Sequence, residues 1–262
     1  MDDADLVEAS GLVISRSQPG VLWAHNDSGD SARLFALRED GTTITTFVVD
    51  GVTATDWEDI ALGPGPERGV DYLYIADIGD NGETRRSVVI HRMAEPTVDL
   101  DGSPGTPIQD AEALRFTYAD GPHNAETVLS DPVTGDLYIV TKDGTAPSLV
   151  FHHPFPQSPD TMAELEPVAS IAFGVPPLLG VALSTAGDVS SDGSLVVVRT
   201  YTHAFAWRRA PGTALHEAFS TEPCPLPLQL QPQGETIALS ADAYFTVSEG
   251  EGSTMWRYDR LD

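Results

Sequence analysis

One short pattern recurs along this chain: an apolar segment, a polar cluster and then a second apolar segment. The copies are VLWAHNDSGDSARLFAL from Val21, YLYIADIGDNGETRRSVVIHRM from Tyr72, LYIVTKDGTAPSLVFHHP from Leu137, LVVVRTYTHAFAWRR from Leu195 and YFTVSEGEGSTMWRY from Tyr244. They begin about 50 to 65 residues apart, a period typical of stacked or radial repeat units. The repeat constrains the fold strongly, because it predicts which residues from distant parts of the chain meet in space.

Apolar and polar residues alternate with a period of two, which predicts β-strands, and turn-forming residues interrupt them about every 8 to 12 residues. The first unit therefore reads as four strands, at residues 9–15, 21–26, 32–38 and 43–49. The fourth unit reads in the same way, with its last strand at residues 216–219. The fifth unit, from Glu235, has only three strands before the sequence ends.

These units predict an all-β fold, with one domain over residues 1–262. We expect a five-bladed β-propeller of four-stranded antiparallel blades. Residues 4–7 are expected to supply the missing strand of the last blade and to close the ring. Six blades are the alternative, if residues 96–119 or 175–185 form a further blade, and a β-sandwich is the competing fold.

The charge balance is extreme, with 14 basic residues against 40 acidic ones and a formal net charge of −26. Such a surface repels nucleic acid and anionic membranes and favours cations. We therefore expect no nucleic-acid or membrane partner. A small-molecule or glycan ligand and a monomer are expected as well. The single cysteine, Cys224, cannot form an internal disulfide. No signal peptide precedes MDDADLVEASGL, so an exported origin, secreted or periplasmic, is expected only if the chain is a trimmed mature form.

The first strand of each propeller blade lines the central channel, so the starts of these strands meet at one face. We align five residues at one position of these strands, with Asp56 and Asp188 nearby: Ser10, Glu58, Glu126, Gly187 and Glu235. Three glutamates on a narrow axis cannot all stay ionised unless a cation neutralises them or their pKa values rise. Oxygen ligands suit Ca²⁺, which accepts loose geometry, better than Mg²⁺, which demands an octahedron. The sequence predicts a Ca²⁺ site held by these glutamates; the alternative is that they cap backbone N–H groups or pair with arginines.

The second strands end at the same face and supply a second ring of polar side chains. Its members are His25, Asn26, Asp27, Asp77, Asp80, Asn81, Lys142, Arg199, Tyr201, His203 and Glu249. Lys142, which is the only lysine, and Arg199 stand beside the acids and predict a mixed-charge pocket for an anionic or polar ligand. The alternative is that both cations pair with Glu126 and its neighbours.

Several motifs resemble a group of largely uncharacterised bacterial β-propeller proteins. They are DWEDIA at 56–61, YLYIADIGDN at 72–81, NAETVLSDPVTGDLYIVTK at 124–142, VVVRTY at 196–201 and QGETIALS at 233–240. More distantly, the chain resembles the calcium-dependent propeller hydrolases, which include lactonases, phosphotriesterase-like enzymes and propeller phytases. This resemblance implies that Asn26 and Asp77 add oxygen ligands to the glutamate site. The chain departs from these hydrolases in its five expected blades and in lacking the many Lys and Arg residues that phytate would require.

Three functions remain open from the sequence. The first is a metal-dependent hydrolase of small esters, lactones or phosphoesters, with Asp77 or Glu249 as the base and Lys142 and Arg199 stabilising negative charge. The second is a non-catalytic propeller with a structural ion, whose face binds a protein or a glycan. The third is a glycosidase that uses two of the carboxylates, with Trp57 stacking on the sugar.

Overall fold

The computed structural model describes residues 1–100, 108–143, 147–173 and 182–260. Within these ranges the chain forms β-strands and one short 3₁₀-helix, Leu215–Ser220. The first strands are β1 Ala9–Ile14, β2 Val21–Asn26, β3 Arg33–Arg38, β4 Thr43–Asp50, β5 Trp57–Pro64, β6 Asp71–Asp77, β7 Val88–Ala94, β8 Ile108–Asp110, β9 Glu112–Tyr118 and β10 Ala125–Ser130. The remaining strands are β11 Leu137–Thr141, β12 Ser148–His153, β13 Ala163–Ile171, β14 Ser184–Val189, β15 Leu195–Thr200, β16 Ala204–Arg208, β17 Cys224–Leu226, β18 Ala238–Leu239, β19 Ala243–Thr246 and β20 Trp256–Asp259.

The strands form five units of mostly consecutive antiparallel strands. They are β1–β4, then β5, β6, β7 and β9, then β10–β13, β14–β17 and β18–β20. Two parallel pairings connect the outer strands of neighbouring units, β8 with β4 and β9 with β13. The second pairing merges two units into one eight-stranded sheet. These pairings cover sheet edges that would otherwise expose unpaired backbone groups.

The first strands of the five units pack side by side in a ring. Strand β5 lies against β1 and β10, β14 lies against β10 and β18, and β18 lies against β1. Apolar side chains fill the spaces between neighbouring units; Trp23 and Phe47 of the first unit, for example, share a cluster with Trp57 and Ile75 of the second. This near-closed arrangement of sheets confirms the all-β prediction and is consistent with a β-propeller.

The segment expected to close the ring does not form a strand. Residues 4–7 make a turn and an irregular segment, and the last unit has the three strands β18–β20. The beginning of the chain still contacts that unit, since Gly250 N donates to Val7 O and the Met1 amino group donates to Ser253 O. The predicted strand closure was therefore wrong, although the segment lies where the prediction put it.

The predicted strand at residues 216–219 was also wrong, because these residues belong to the 3₁₀-helix. Leu215, Ala218 and Phe219 are buried at spacings of three and four, which suits a helical turn, and Glu217 caps the start of this turn by accepting from Ala214 N. The outer strand of the fourth unit is β17, which follows the helix. In the segment 96–119, the described residues that form strands are those of β8 and β9, which belong to existing sheets rather than to a sixth unit. Residues 175–181 lie outside the described residues.

Candidate functional site

The first strand of four units contains a β-bulge at the same position. The register of β1 with β2 shifts between Ala9 and Gly11, and equivalent shifts occur in β5, β10 and β14. In the fifth unit, Gly234 pairs with Ser248 and Ala238 pairs with Phe245, so the register shifts by one residue between these two pairs as well. A bulge places one extra residue against the partner strand and redirects its side chain. The extra residues are Ser10, Glu58, Glu126, Thr185 and Glu235.

This alignment corrects one position of the predicted ring. The residue equivalent to the glutamates in the fourth unit is Thr185, not Gly187. The two hydroxyl residues of the bulge ring stabilise contacts between units. Ser10 Oγ donates to Glu58 O at 2.6 Å, and Thr185 Oγ1 donates to Gly234 O at 3.0 Å.

The same pairings show which residues of the second strands lie beside the bulges. The residues that pair with the start of each bulge are Asn26, Asp77, Thr141, Thr200 and Ser248. The residues one place further along the chain lie adjacent to the bulge ring and form the second ring. They are Asp27, Ile78, Lys142, Tyr201 and Glu249. Four of these five carry polar side chains that interact with the acids of the bulge ring.

Three carboxylates form a compact cluster where the first two units meet. Asp27 follows β2, Asp56 precedes β5 and Glu58 is the bulged residue of β5, and one oxygen from each lies within 4.8 Å of the others. Glu58 is only 4% exposed, and no described N–H or O–H group donates to its carboxylate. The backbone of Gly79 covers the cluster, since a Cβ there would lie 2.1 Å from Glu58 Oε1 and 2.4 Å from Asp56 Oδ2.

Burial and mutual repulsion raise the pKa values of all three carboxyls. Burial is the main cause for each; it raises the pKa of Asp27 to about 6, with a smaller contribution from the charge of Asp56. The pKa of Glu58 lies well above its ordinary value because of burial and the nearby charges of Glu126, Asp27 and Asp56. The pKa values of all three carboxyls rise even though Arg85 and Lys142 act against the rise at Asp56, so the nearby positive charge does not compensate for burial and repulsion.

A second cluster surrounds the single lysine. Lys142 Nζ donates to Glu126 Oε1 and, at 2.7 Å, to the hydroxyl of Tyr201. Burial raises the pKa of Glu126 to about 7, although Lys142 opposes that shift. Burial alone would lower the pKa of Lys142, but the charge and hydrogen bond of Glu126 outweigh it and raise that pKa. The lysine therefore stays charged. It partly neutralises the acids at the face where the bulge ring and the second ring meet, which is the mouth of the ring.

Two further acids lie beside this lysine cluster. Burial raises the pKa of Glu235 to about 9, and a hydrogen bond with the side chain of Glu249 adds to the shift. Two carboxyl groups share a hydrogen bond only if one is protonated. Because its pKa is raised, Glu235 holds that proton at neutral pH and donates it to Glu249.

Two predicted oxygen ligands lie one residue away from the mouth and make structural contacts instead. Asp77 accepts from the backbone N of Thr55 and Asp56 and from Arg85 Nη2 at 2.7 Å. Asn26 Oδ1 accepts from Glu8 N, and its amide nitrogen donates to Asp30 and to a backbone oxygen. Neither side chain belongs to the carboxylate cluster, whose other members, Asp27 and Asp56, the sequence did not assign as ligands.

Arg199 also lies away from the mouth, because it is two residues before Tyr201. Its guanidinium is fully buried beneath Gly234 and donates to Thr236 O at 2.7 Å and to Gln231. It stabilises the contact between the fourth and fifth units, and no exposed part of it faces a ligand. Trp57 is 1% exposed and packs against His25 and His91, so it cannot stack on a bound sugar.

No family model matches the chain, and no curated protein matches it. Solved structures that resemble it include a nidogen–laminin complex, with 15% identity, a TM-score of 0.49 and coverage of 93% of this chain and 73% of that one. Another is a protein provisionally described as a gluconolactonase, with 16% identity, a TM-score of 0.48 and coverage of 96% and 75%. Similarity at this level carries no information on activity, so function has to be argued from the site itself. In the described part of the chain, no helix has the length and apolar character needed to cross a membrane.

Proposed function

We propose that this protein is a single-domain, five-bladed β-propeller that binds Ca²⁺ and hydrolyses small esters, lactones or phosphoesters at the mouth of its channel. The observation that carries the proposal is the carboxylate of Glu58, which is buried beside Asp27 and Asp56 and accepts from no N–H or O–H group of the described residues. A buried charge without a partner is costly, and a cation is the compensation that this site lacks.

Five blades are supported by the ring of first strands, in which β18 of the last unit contacts both β14 and β1. Each unit contributes one residue to the bulge ring and one to the second ring. A five-fold repetition of the same hairpin geometry around one axis is what a propeller requires.

The donor atoms of the cluster suit a hard cation, because all three are carboxylate oxygens. Three protein ligands leave room for water or substrate oxygens in the six to eight positions that Ca²⁺ accepts. Asp27 and Asp56 are partly exposed, so the cluster opens toward solvent on the side away from Glu58. That opening is what a site needs if the ion is to contact a substrate.

A bound Ca²⁺ would supply Lewis-acid polarisation of a substrate oxygen. The chain's own residues add the other groups that hydrolysis requires. Lys142 provides positive charge beside the cluster, where negative charge develops on the substrate. Glu249 is half-buried and accepts the proton of Glu235, and it is the proposed base for water. Asp77 is unsuited to that role because Arg85 and two backbone N–H groups occupy its oxygens.

Thermal melting tests the cation. We expect Ca²⁺ to raise the melting temperature and a chelator to reverse the rise, because a ligand at 100 times its Kd stabilises the folded state by about 2.7 kcal/mol. For a domain of this size that is roughly 5–10 °C. The double variant Asp56→Asn with Glu58→Gln should lose the response, whereas Asp120→Asn, at a site outside the cluster, should keep it. A response that survives in the double variant would refute this cation site.

Hydrolysis is tested with a panel of aryl esters, lactones and phosphoesters in the presence of Ca²⁺. We expect activity on at least one class, and we expect Glu249→Gln to reduce kcat by about 100-fold or more, in line with the loss of a general base. Calcium binding with no activity on any class would instead support the non-catalytic propeller. The glycosidase alternative expected Trp57 to stack on the sugar, and the burial of Trp57 removes that support.

A further inference from the structure

Tyr201 lies in the mouth with a hydroxyl group that has an unused hydrogen. An ammonium group can only donate, so the 2.7 Å contact with Lys142 uses the phenol oxygen as the acceptor. The tyrosine proton must therefore point elsewhere, and no described residue accepts it. Burial raises the pKa of Tyr201 to about 12, with a further contribution from Glu126, so this proton stays in place at neutral pH.

Lys142 has spare donor capacity beside it. Its ammonium carries three hydrogens, of which Glu126 and Tyr201 each take one. The lysine side chain is 12% exposed, so the remaining hydrogen is within reach of a ligand in the mouth. One N–H and one O–H thus lie side by side, with their heavy atoms 2.7 Å apart. Two adjacent donors of this kind suit the oxygens of a carboxylate or phosphoryl group.

The surrounding charge decides when an anion can use these donors. The positive charge of Lys142 is close enough to Asp56, Glu58 and Glu235 to oppose the rise of their pKa values. An anion would meet net negative charge in this mouth unless the carboxylate cluster held a divalent cation.

We propose that Lys142 and Tyr201 form an oxyanion subsite that is filled only together with the cation at Asp27, Asp56 and Glu58. The inference rests on the proposed function and adds to it the two side chains that bind an oxygen of the carboxylic or phosphoric ester. Cation and anion bind cooperatively, and the coupling is reciprocal: each increases the affinity of the other by the same factor.

Calorimetry with simple anions tests this inference. The probes are methylphosphonate and acetate, titrated into the protein saturated with Ca²⁺ and into the protein in chelator. We expect at least one anion to bind with Ca²⁺, and its affinity to fall about 10- to 100-fold in chelator. A preference for methylphosphonate indicates a phosphoryl substrate, and a preference for acetate indicates a carboxylic ester; either result supports the subsite.

Matched variants identify the donors. Tyr201→Phe removes the hydroxyl and should weaken anion binding about tenfold while Ca²⁺ binding in the absence of anion stays within about twofold. Lys142→Met should weaken anion binding more strongly. Tyr72→Phe is the control, since no described residue bonds to the Tyr72 hydroxyl, and it should bind as the unmodified protein does.

The outcomes separate the two proposals. If the unmodified protein does not bind Ca²⁺, the proposed function fails and this inference fails with it. If Ca²⁺ binds normally but neither anion does, or if Tyr201→Phe binds the anion as tightly as Tyr72→Phe, only the subsite is wrong. Anion affinity that is equal with and without Ca²⁺ would also overturn it.

Discussion

Glu58 and Asp59 are neighbours on one strand and both are buried, but their surroundings differ completely. Asp59 is fully buried, and its two oxygens accept from the backbone N of Ile60, Val128 and Gly187. These donors belong to three different units, so one carboxyl links three of the five first strands. The carboxylate of Glu58, in contrast, accepts from no described donor and faces Asp27 and Asp56.

The pKa values of the two carboxyls do not distinguish them, because burial raises both well above their ordinary values. The hydrogen bonds of the two carboxyls distinguish them. An acid whose oxygens are satisfied by backbone N–H groups stabilises the fold, as Asp188 also does by accepting from Leu239 N and Val189 N. An acid that is equally buried but lacks donors is the better candidate for binding a ligand. The bulge separates the two classes, since it directs the extra residue to the mouth.

The largest effect is expected from Asp59→Ala. The change leaves three buried N–H groups without an acceptor, at about 1–3 kcal/mol for each. We expect the free energy of unfolding to fall by about 3 kcal/mol or more, measured by urea denaturation in chelator. Asp188→Ala leaves two such groups and should cost less.

Glu58→Gln is expected to have the opposite effect on stability in the same experiment. Removing its charge relieves repulsion from Asp27 and Asp56, so the protein in chelator should be as stable as before or more stable. If Glu58→Gln destabilised the protein as strongly as Asp59→Ala, the distinction between linking acids and ligand-binding acids would be wrong.

Gly79→Ala should remove calcium binding without removing a charge. The new methyl group would lie 2.1 Å from Glu58 Oε1 and 2.4 Å from Asp56 Oδ2, so both carboxylates must move. We expect most of the stabilisation by Ca²⁺ to disappear, a loss of about 2–3 kcal/mol at saturating calcium. Gly82→Ala is the control, because its Cβ would meet only Thr84 at 3.7 Å. Equal calcium responses in the two variants would show that the ion does not bind beneath Gly79.

The pH dependence of stability follows from Glu126 and Glu235. Burial raises their folded pKa values from 4.5 to about 7 and about 9, so the folded protein binds more protons than the unfolded chain between these limits. Their contribution to stability is fully present below about pH 4.5 and is lost as the pH rises through 7 and then 9. In chelator, the melting temperature should therefore fall between pH 6 and pH 9.

Two variants sharpen that measurement. Glu235→Gln should flatten the alkaline part of the fall and Glu126→Gln the part near neutrality, whereas Asp120→Asn should leave it unchanged. A melting temperature that rose over this range would contradict the direction of both pKa shifts.

The sequence predicted most strand positions and the placement of Glu58 and Glu126, because alternation with a period of two marks both clearly. It misplaced the fourth unit, where Gly187-Asp188-Val189 resembles Glu58-Asp59-Ile60. A shift of two residues keeps every side chain on the same face, so the alternation cannot reveal such an error. Only the cross-strand pairs, such as Ser184 with Thr200, identify Thr185 as the bulged residue.

A second limit, the β-bulge that no periodic pattern shows, explains why the predicted ligand set differs from the carboxylate cluster. Asp77 and Asn26 stand one residue before the ring positions, and a shift of one residue directs a side chain to the opposite face. Arg199 was aligned with Lys142 at the end of a second strand, but its pairing with Ala186 puts it in the interior. Once the bulge is known, counting one residue past its partner finds Asp27 and Tyr201 directly.

The smallest effect is expected from Thr185→Val, which tests the corrected ring position. The variant keeps the shape of the side chain but removes the hydroxyl that donates to Gly234 O, so it should cost about 1 kcal/mol of unfolding free energy. The calcium response should not change, since Thr185 lies in the bulge ring but outside the carboxylate cluster. Ser191→Ala, at an exposed turn, is the control for hydroxyl loss outside the ring. If Thr185→Val altered calcium binding as Gly79→Ala does, the ion would involve the whole ring rather than only the junction of the first two units.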